Sequence, residues 1–140
     1  MSTVPRAPAL NTTRTYDLVV QPGDLASEIV PSGTTDKFPC VLATARLVAF
    51  MEVAAARLLQ PYLESNQLSV GTRVDISHSA PTPVGAKVTA TATFVGVKGK
   101  VYLFDVSAED EAGEIGRGVH ERAIVDVERL EKGAAKRSAA

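Results

Sequence analysis

Apolar positions change their spacing twice along the chain, and the changes mark out the elements. From Thr15 to Gln21 the run TYDLVVQ has the Tyr and Val content of a strand, and Pro22-Gly23 ends it. Asp24 to Pro39 then holds Pro31, Gly33 and Pro39 among polar residues, which predicts an irregular connection with a short turn near Ala26 to Ile29. In so small a domain such a connection is either a plain surface loop or a lid over a site. Between Val41 and Leu59 the spacing becomes helical, with Leu47, Met51, Ala54, Ala55 and Leu58 three and four residues apart. Arg46, Glu52 and Arg57 are the only charges of that helix, so it needs cover on several sides. Pro61 stops it, since proline lacks an amide donor and clashes with the preceding turn.

Beyond the helix the period drops to two. Leu68–Ser79, Ala86–Val97, Val101–Glu109 and Ile115–Val127 are strand-like, with Val88, Ala90, Ala92 and Phe94 on one face of the second run. The connectors are the Pro-rich Ala80–Gly85, a tight turn at Lys98-Gly99-Lys100 and a turn from Asp110 to Gly113. No second long helix separates these strands, which makes the sheet antiparallel. The expected architecture is α+β: one long helix lying across a curved five-stranded antiparallel sheet, within a single domain spanning residues 14–130. Residues 1–13 and 131–140 are expected to be flexible ends, because their small, polar content offers little apolar surface. An open sheet leaves edges, and pairing with a second copy protects one of them; a homodimer is expected on that ground.

Composition narrows the partners. Of 140 residues 45% are apolar and 22% charged, ordinary globular usage, and the net charge of −1 gives no general reason to expect nucleic acid or an anionic membrane as partner. The single Cys40 excludes an internal disulfide and a Cys-rich zinc site, and is expected to be at least partly buried. With His78 and His120 as the only histidines, no histidine-rich metal site can be built within one chain. No P-loop, dinucleotide fingerprint or HExxH motif is present. No apolar run approaches the roughly 20 residues of a membrane span, and no secretory h-region is seen, so the expectation is cytoplasmic.

Several separated motifs carry a family resemblance. The helix holds Ala43, Thr44, Met51 and Glu52 as AT-x6-ME; Pro61 to Glu64, Val70 to Thr72, His78 to Pro83 and Glu114 to Ala123 follow in order. Together they resemble the fluoroacetyl-CoA thioesterase family, and the layout resembles the hotdog fold of acyl-CoA thioesterases and dehydratases. The resemblance implies hydrolysis of a small acyl-CoA thioester by a homodimer with sites at the subunit interface. It implies no cofactor, CoA entering as part of the substrate. By the same resemblance Thr44, Glu52 and His78 correspond to catalytic residues, Gly71 to a glycine lining the acyl pocket, Arg122 to an arginine near it, and Phe38 to a lid aromatic. Thr35 stands where the family has a second lid phenylalanine, and Arg46 and Val53 replace aromatic residues, which points to a generic small acyl group.

Thioester hydrolysis needs an attacking group, a proton carrier and donors for the oxyanion. Glu52 fits as nucleophile or as general base on water, His78 as proton carrier, and Thr44 as a positioning or attacking hydroxyl. Thr44 and Glu52 are eight residues apart, about 12 Å along one helix, too far for a direct hydrogen bond. Either the helix start is bent or a second subunit supplies one group; the two-subunit reading is preferred. Each residue also has a plainer role: Thr44 as helix cap, Glu52 as a solvated face, His78 as a structural strand histidine, Gly71 as a bulge, Arg122 in a wet-face pair. His120 is read as structural, bonded to a neighbouring strand. Lys98, Lys100 and Arg73 are candidates to meet CoA phosphates or simply soluble positions. A non-catalytic hotdog module binding acyl-CoA or another small apolar ligand is the alternative function, and a dehydratase is a further one.

Overall fold

In a computed structural model, residues 7–31 and 34–139 are described; Met1 to Arg6 of the expected N-terminal end, residues 32 and 33 of the long connection, and Ala140 lie outside them. Strand β1 (Thr13–Val19) leads through two single-turn 3-10 segments, Pro22–Asp24 and Ala26–Glu28, to helix α1 (Thr44–Leu59). Strands β2 (Gln67–His78), β3 (Lys87–Lys98), β4 (Val101–Asp110) and β5 (Gly113–Asp126) follow, and helix α2 (Val127–Ser138) ends the described chain. All five strands form one antiparallel sheet in the order β1-β3-β4-β5-β2. Among the described residues β2 therefore has a strand neighbour on one side only.

Helix α1 buries Leu47, Phe50, Met51, Ala54, Ala55, Leu58 and Leu59, a stripe that returns every three or four residues. It packs on Val88, Ala90, Ala92 and Phe94 of β3 and on Phe104, Val106 and Ala108 of β4, all buried, as strand alternation requires. Val48, Ala49, Val53 and Ala56 on its flank are only half-buried, so one chain does not provide the cover this helix calls for.

The helix begins three residues later than its apolar pattern suggests. Leu42 N–H donates to the Thr82 carbonyl at 2.8 Å and Ala43 N–H to the Asp24 carbonyl at 2.9 Å, which holds both residues extended. Thr44 is thus the first helical residue, and no side chain caps the helix; the hydroxyl is free for other work. The described parts of the two ends expected to be loose carry regular contacts instead. Asn11 N–H and the Thr12 carbonyl bond to Phe94 of β3 at 2.8 and 2.9 Å, and Thr13 already belongs to β1. Residues 131–138 lie in α2, where the Asp126 side chain caps the Arg129 amide at 2.9 Å and Lys132 meets Glu128 at 2.8 Å. Lys, Glu and Ala lack core-forming area but have high helix propensity, and a good cap lets that propensity act. Cys40, expected to be partly buried, is exposed, because the connection before α1 lies at the surface. Among the described residues no helix is long and apolar enough to cross a membrane.

Candidate active site

The first half of the site forms where the start of α1 meets the end of β2. His78, the last residue of β2, stands opposite Gly116 of β5. A Cβ on Gly116 would lie 2.9 Å from Leu47 Cδ2, so the missing side chain lets the first turn of α1 settle on the sheet there. That approach sets Thr44 Oγ1 2.8 Å from His78 Nδ1. The other ring nitrogen, Nε2, is buried and has no protein partner within the described chain. A buried polar atom without a partner costs free energy, roughly 1–3 kcal/mol, unless something else supplies the bond. Beside this pair lies a cavity of about 370 Å³, lined mainly by apolar groups that include Ala26, Phe38, Leu42, Ala80 and Pro81. Phe38 is 54% exposed and stands at this cavity on the segment ahead of α1.

The second half forms at the middle of α1. Glu52 points to the sheet over Gly71, where a Cβ would come 2.5 Å from Glu52 Oε2; only glycine admits the carboxylate at that depth. Gly71 also marks a register break in the β2–β5 pairing, so the bulge reading and the pocket reading both apply. Arg122 of β5 faces inward and is buried, and its Nη1 donates to Glu52 Oε2 at 2.8 Å. Ser69 fixes the rest of the guanidinium: Nε donates to its Oγ and Nη2 to its carbonyl, both at 2.9 Å. The wet-face alternative for Arg122 is excluded by this burial. A charge so enclosed requires its pairing, because an unpaired buried guanidinium is strongly destabilising. His120, two residues before Arg122 on the same face of β5, is also buried and bonds through Nδ1 to the Arg73 carbonyl at 2.8 Å. That is the neighbouring-strand bond expected of it. Burial pushes the His120 imidazole below its ordinary titration range, the positive Arg122 adds to this, and the bond to the Arg73 carbonyl opposes it.

The six expected site residues thus fall into two groups of three. Phe38, Thr44 and His78 gather at the cavity; Glu52, Gly71 and Arg122 gather half a helix away. Helix α1 runs unbroken from Thr44 to Leu59, so a bent start does not bring Thr44 to Glu52. Arg73, a candidate for phosphate, instead pairs with Glu121 at 3.2 Å and Asp75 at 3.4 Å. Ser69 was not anticipated. Alternation offered a signal for it, since Arg122 falls on the core-facing side of β5 and a charge there must be held by a neighbouring strand.

Comparison with known proteins bears on the same residues. The model of the family described as fluoroacetyl-CoA-specific thioesterase matches residues 20–128. A fluoroacetyl-CoA thioesterase from Streptantibioticus cattleyicolor is 41% identical over 117 residues, covering 83% of this chain and 84% of that protein. A crystal structure of the fluoroacetyl-CoA thioesterase superposes with a TM-score of 0.87 at 37% identity, covering 93% of this chain and 97% of that one. A mutant of the enzyme in complex with fluoroacetate and CoA gives a TM-score of 0.83 at 37% identity, over 88% of this chain and 99% of that one. A Thermus thermophilus thioesterase-superfamily protein gives 0.81 at 26% identity, over 94% and 96%. The sheet, the helix across it and these matches make the fold a hotdog, and the chain belongs to the fluoroacetyl-CoA-specific thioesterase family.

Proposed function

We propose that the protein is a thioesterase that hydrolyses a small acyl-CoA thioester to the free acid and CoA, as a homodimer whose sites combine residues of both subunits. The observation that carries this reading is the Thr44–His78 pair at 2.8 Å beside a small, largely apolar cavity, in a chain of this family. The family match favours hydrolysis over the non-catalytic module that the sequence left open. Phe38, at this cavity on the segment ahead of α1, supports the reading of a lid over the acyl group. No cofactor takes part in this reading; CoA arrives with the substrate, and neither nucleic acid nor a membrane is a partner. A cytoplasmic location belongs to the same reading.

The open edge of β2 supports the two-subunit arrangement. Two copies of β2 pairing antiparallel there extend the sheet and cover the half-buried flank of α1. Alternation and the bulge beside Gly71 allow registers centred on Val74 or Asp75, near the middle of the strand. These set His78 opposite the partner's Ser69 or the partner's Gly71, on the same face of the sheet. Strands in a sheet lie about 4.8 Å apart. The carboxylate lying over the partner's Gly71 then comes within reach of the unpartnered Nε2 of His78. In that composite site Glu52 attacks the thioester carbonyl or activates water for the attack. His78 carries the proton that the departing CoA thiolate takes up, and Thr44 holds the ring through Nδ1.

The test is complementation between dead protomers. Glu52→Gln and His78→Ala homodimers each lose turnover. A co-expressed mixture regains about a quarter of wild-type activity, since half the dimers carry one intact site of two. No recovery in a mixture shown to contain heterodimers would refute the two-subunit site. Absence of thiol release from every acyl-CoA in a panel from acetyl to long-chain would refute the hydrolase reading itself.

A further inference from the structure

The Arg122 guanidinium has a division of labour that points to a residue outside the six. Its Nη1 carries two hydrogens. One goes to Glu52 Oε2 at 2.8 Å and the other lies toward His120 Nε2 at 3.1 Å. On its far side the His120 ring meets the Arg73 carbonyl, which only accepts, at 2.8 Å. The ring must therefore carry its hydrogen on Nδ1 and keep a lone pair on Nε2. A second proton on Nε2 would set N–H against N–H at Nη1. Only the neutral ring in this one tautomer lets Arg122 Nη1 meet His120 Nε2 and Glu52 Oε2 at once.

We propose that His120 is a positioning residue for the thioesterase reaction: its Nε2 lone pair takes one N–H of Arg122 Nη1 and so directs the other at the Glu52 carboxylate over Gly71. The inference rests on the hydrolase reading for its kinetic consequence, though the tautomer does not depend on it. Ser69 fixes two corners of the guanidinium, Nε and Nη2, and His120 fixes the third. The guanidinium is a rigid plane, so the bond to His120 keeps that plane from tilting about the two Ser69 bonds; without it the N–H aimed at the carboxylate loses its fixed direction. Arg122 bonds Oε2, while Glu52 Oε1 has no protein partner among the described residues; holding one oxygen is what aims the other.

The charges around the ring come from three elements. Arg122 and Glu121 belong to its own strand, Glu52 to α1, and on β2 the Arg73 backbone carbonyl faces it. Phe104 of β4 packs on the ring with centroids 6.3 Å apart and adds no charge. Burial and the positive Arg122 favour the neutral ring against the attraction of the two carboxylates. The clamp thus persists at neutral pH and fails on acidification.

The experiment compares two amides. His120→Gln keeps an acceptor near the Nε2 position and cannot titrate; His120→Asn keeps a donor toward the Arg73 carbonyl but does not reach Arg122. Expected for Asn is a kcat about 10- to 100-fold lower with KM within about threefold of wild type, the mark of a misaimed catalytic group. Expected for Gln is recovery to within about threefold of wild-type kcat, with the acidic limb of the pH–rate profile shifted to lower pH. Equal losses in both variants with an unmoved acidic limb would reduce His120 to packing. A wild-type kcat in Asn would end the proposal while leaving the hydrolase reading intact. An activity-independent readout is nitrogen-15 NMR of the two imidazoles, assigned with His78→Ala. His120 should appear as the Nδ1–H tautomer at neutral pH, and its titration should move upward in Arg122→Gln. An Nε2–H tautomer in the wild-type protein overturns the proposal whatever the enzyme turns over.

Discussion

The two halves of the candidate site differ in how completely their polar groups are satisfied. Around Glu52 the guanidinium of Arg122 donates to Ser69 twice, to Glu52 and to His120, and His120 is itself tied to the Arg73 carbonyl. Around His78 a single bond to Thr44 is made, and the buried Nε2 is left without one. One half is a network that fixes a carboxylate through one of its oxygens; the other holds a buried nitrogen without a hydrogen-bond partner among the described residues, beside a cavity. Such asymmetry is what a site divided between two copies should show. On the proposed two-subunit reading, the closed half forms before assembly, and the open half takes the partner's carboxylate and the substrate.

Ways to break that comparison can be ranked by expected effect. Glu52→Gln keeps the shape and an acceptor for Arg122 but removes the charge. Turnover should fall by about 10³-fold or more, with the sedimentation behaviour of the wild-type protein unchanged. Near-normal turnover would mean that the network is merely structural. His78→Ala should lower turnover by about 10²- to 10³-fold, yet leave the melting temperature almost unchanged, because the residue it removes holds a buried unpartnered nitrogen. A large loss of thermal stability in that variant would show that the open half is satisfied after all.

Gly71→Ala sharpens the comparison without removing a polar group. Its Cβ, 2.5 Å from Glu52 Oε2, must push the carboxylate aside, and kcat should drop about 10-fold or more with little change in KM. The smallest effect is on stability against pH. The folded protein holds His120 neutral below its ordinary value near 6.5, so the unfolded chain binds a proton first as pH falls. Stability contributed by the neutral ring is complete above that value and declines on acidification toward the lowered folded value. Thermal melts from pH 8 to pH 5 should show this fall, and His120→Gln should flatten it. Identical slopes in the two proteins would assign the acid sensitivity elsewhere.

Particular residues show how much was legible beforehand. The apolar stripe from Leu47 to Leu58 and the face Val88, Ala90, Ala92 and Phe94 came directly from periodicity and recur as the core. The motifs around Thr44, Glu52 and His78 were visible as words in the chain. Their distances were not, because the Thr44–His78 contact depends on two groups 34 residues apart and on the small cross-section of Gly116 between them. The role of Ser69 was hidden for the same reason. Its partner Arg122 is 53 residues away, and only the β2–β5 register brings them together. The C-terminal helix was missed because composition separates core-forming from core-poor segments and says nothing of a cap such as Asp126.

The sequence by itself determined the five strands, the one long helix, the antiparallel sheet and the family, since these follow from periods of two and 3.6 and from short local words. Tertiary structure alone decided that Glu52 lies under the hold of a buried arginine while Thr44 and His78 pair elsewhere. It also decided that β2 ends the sheet. Hydrogen bonds between distant strands depend on register and on where glycine allows close approach, and neither is encoded in the neighbours of any one residue.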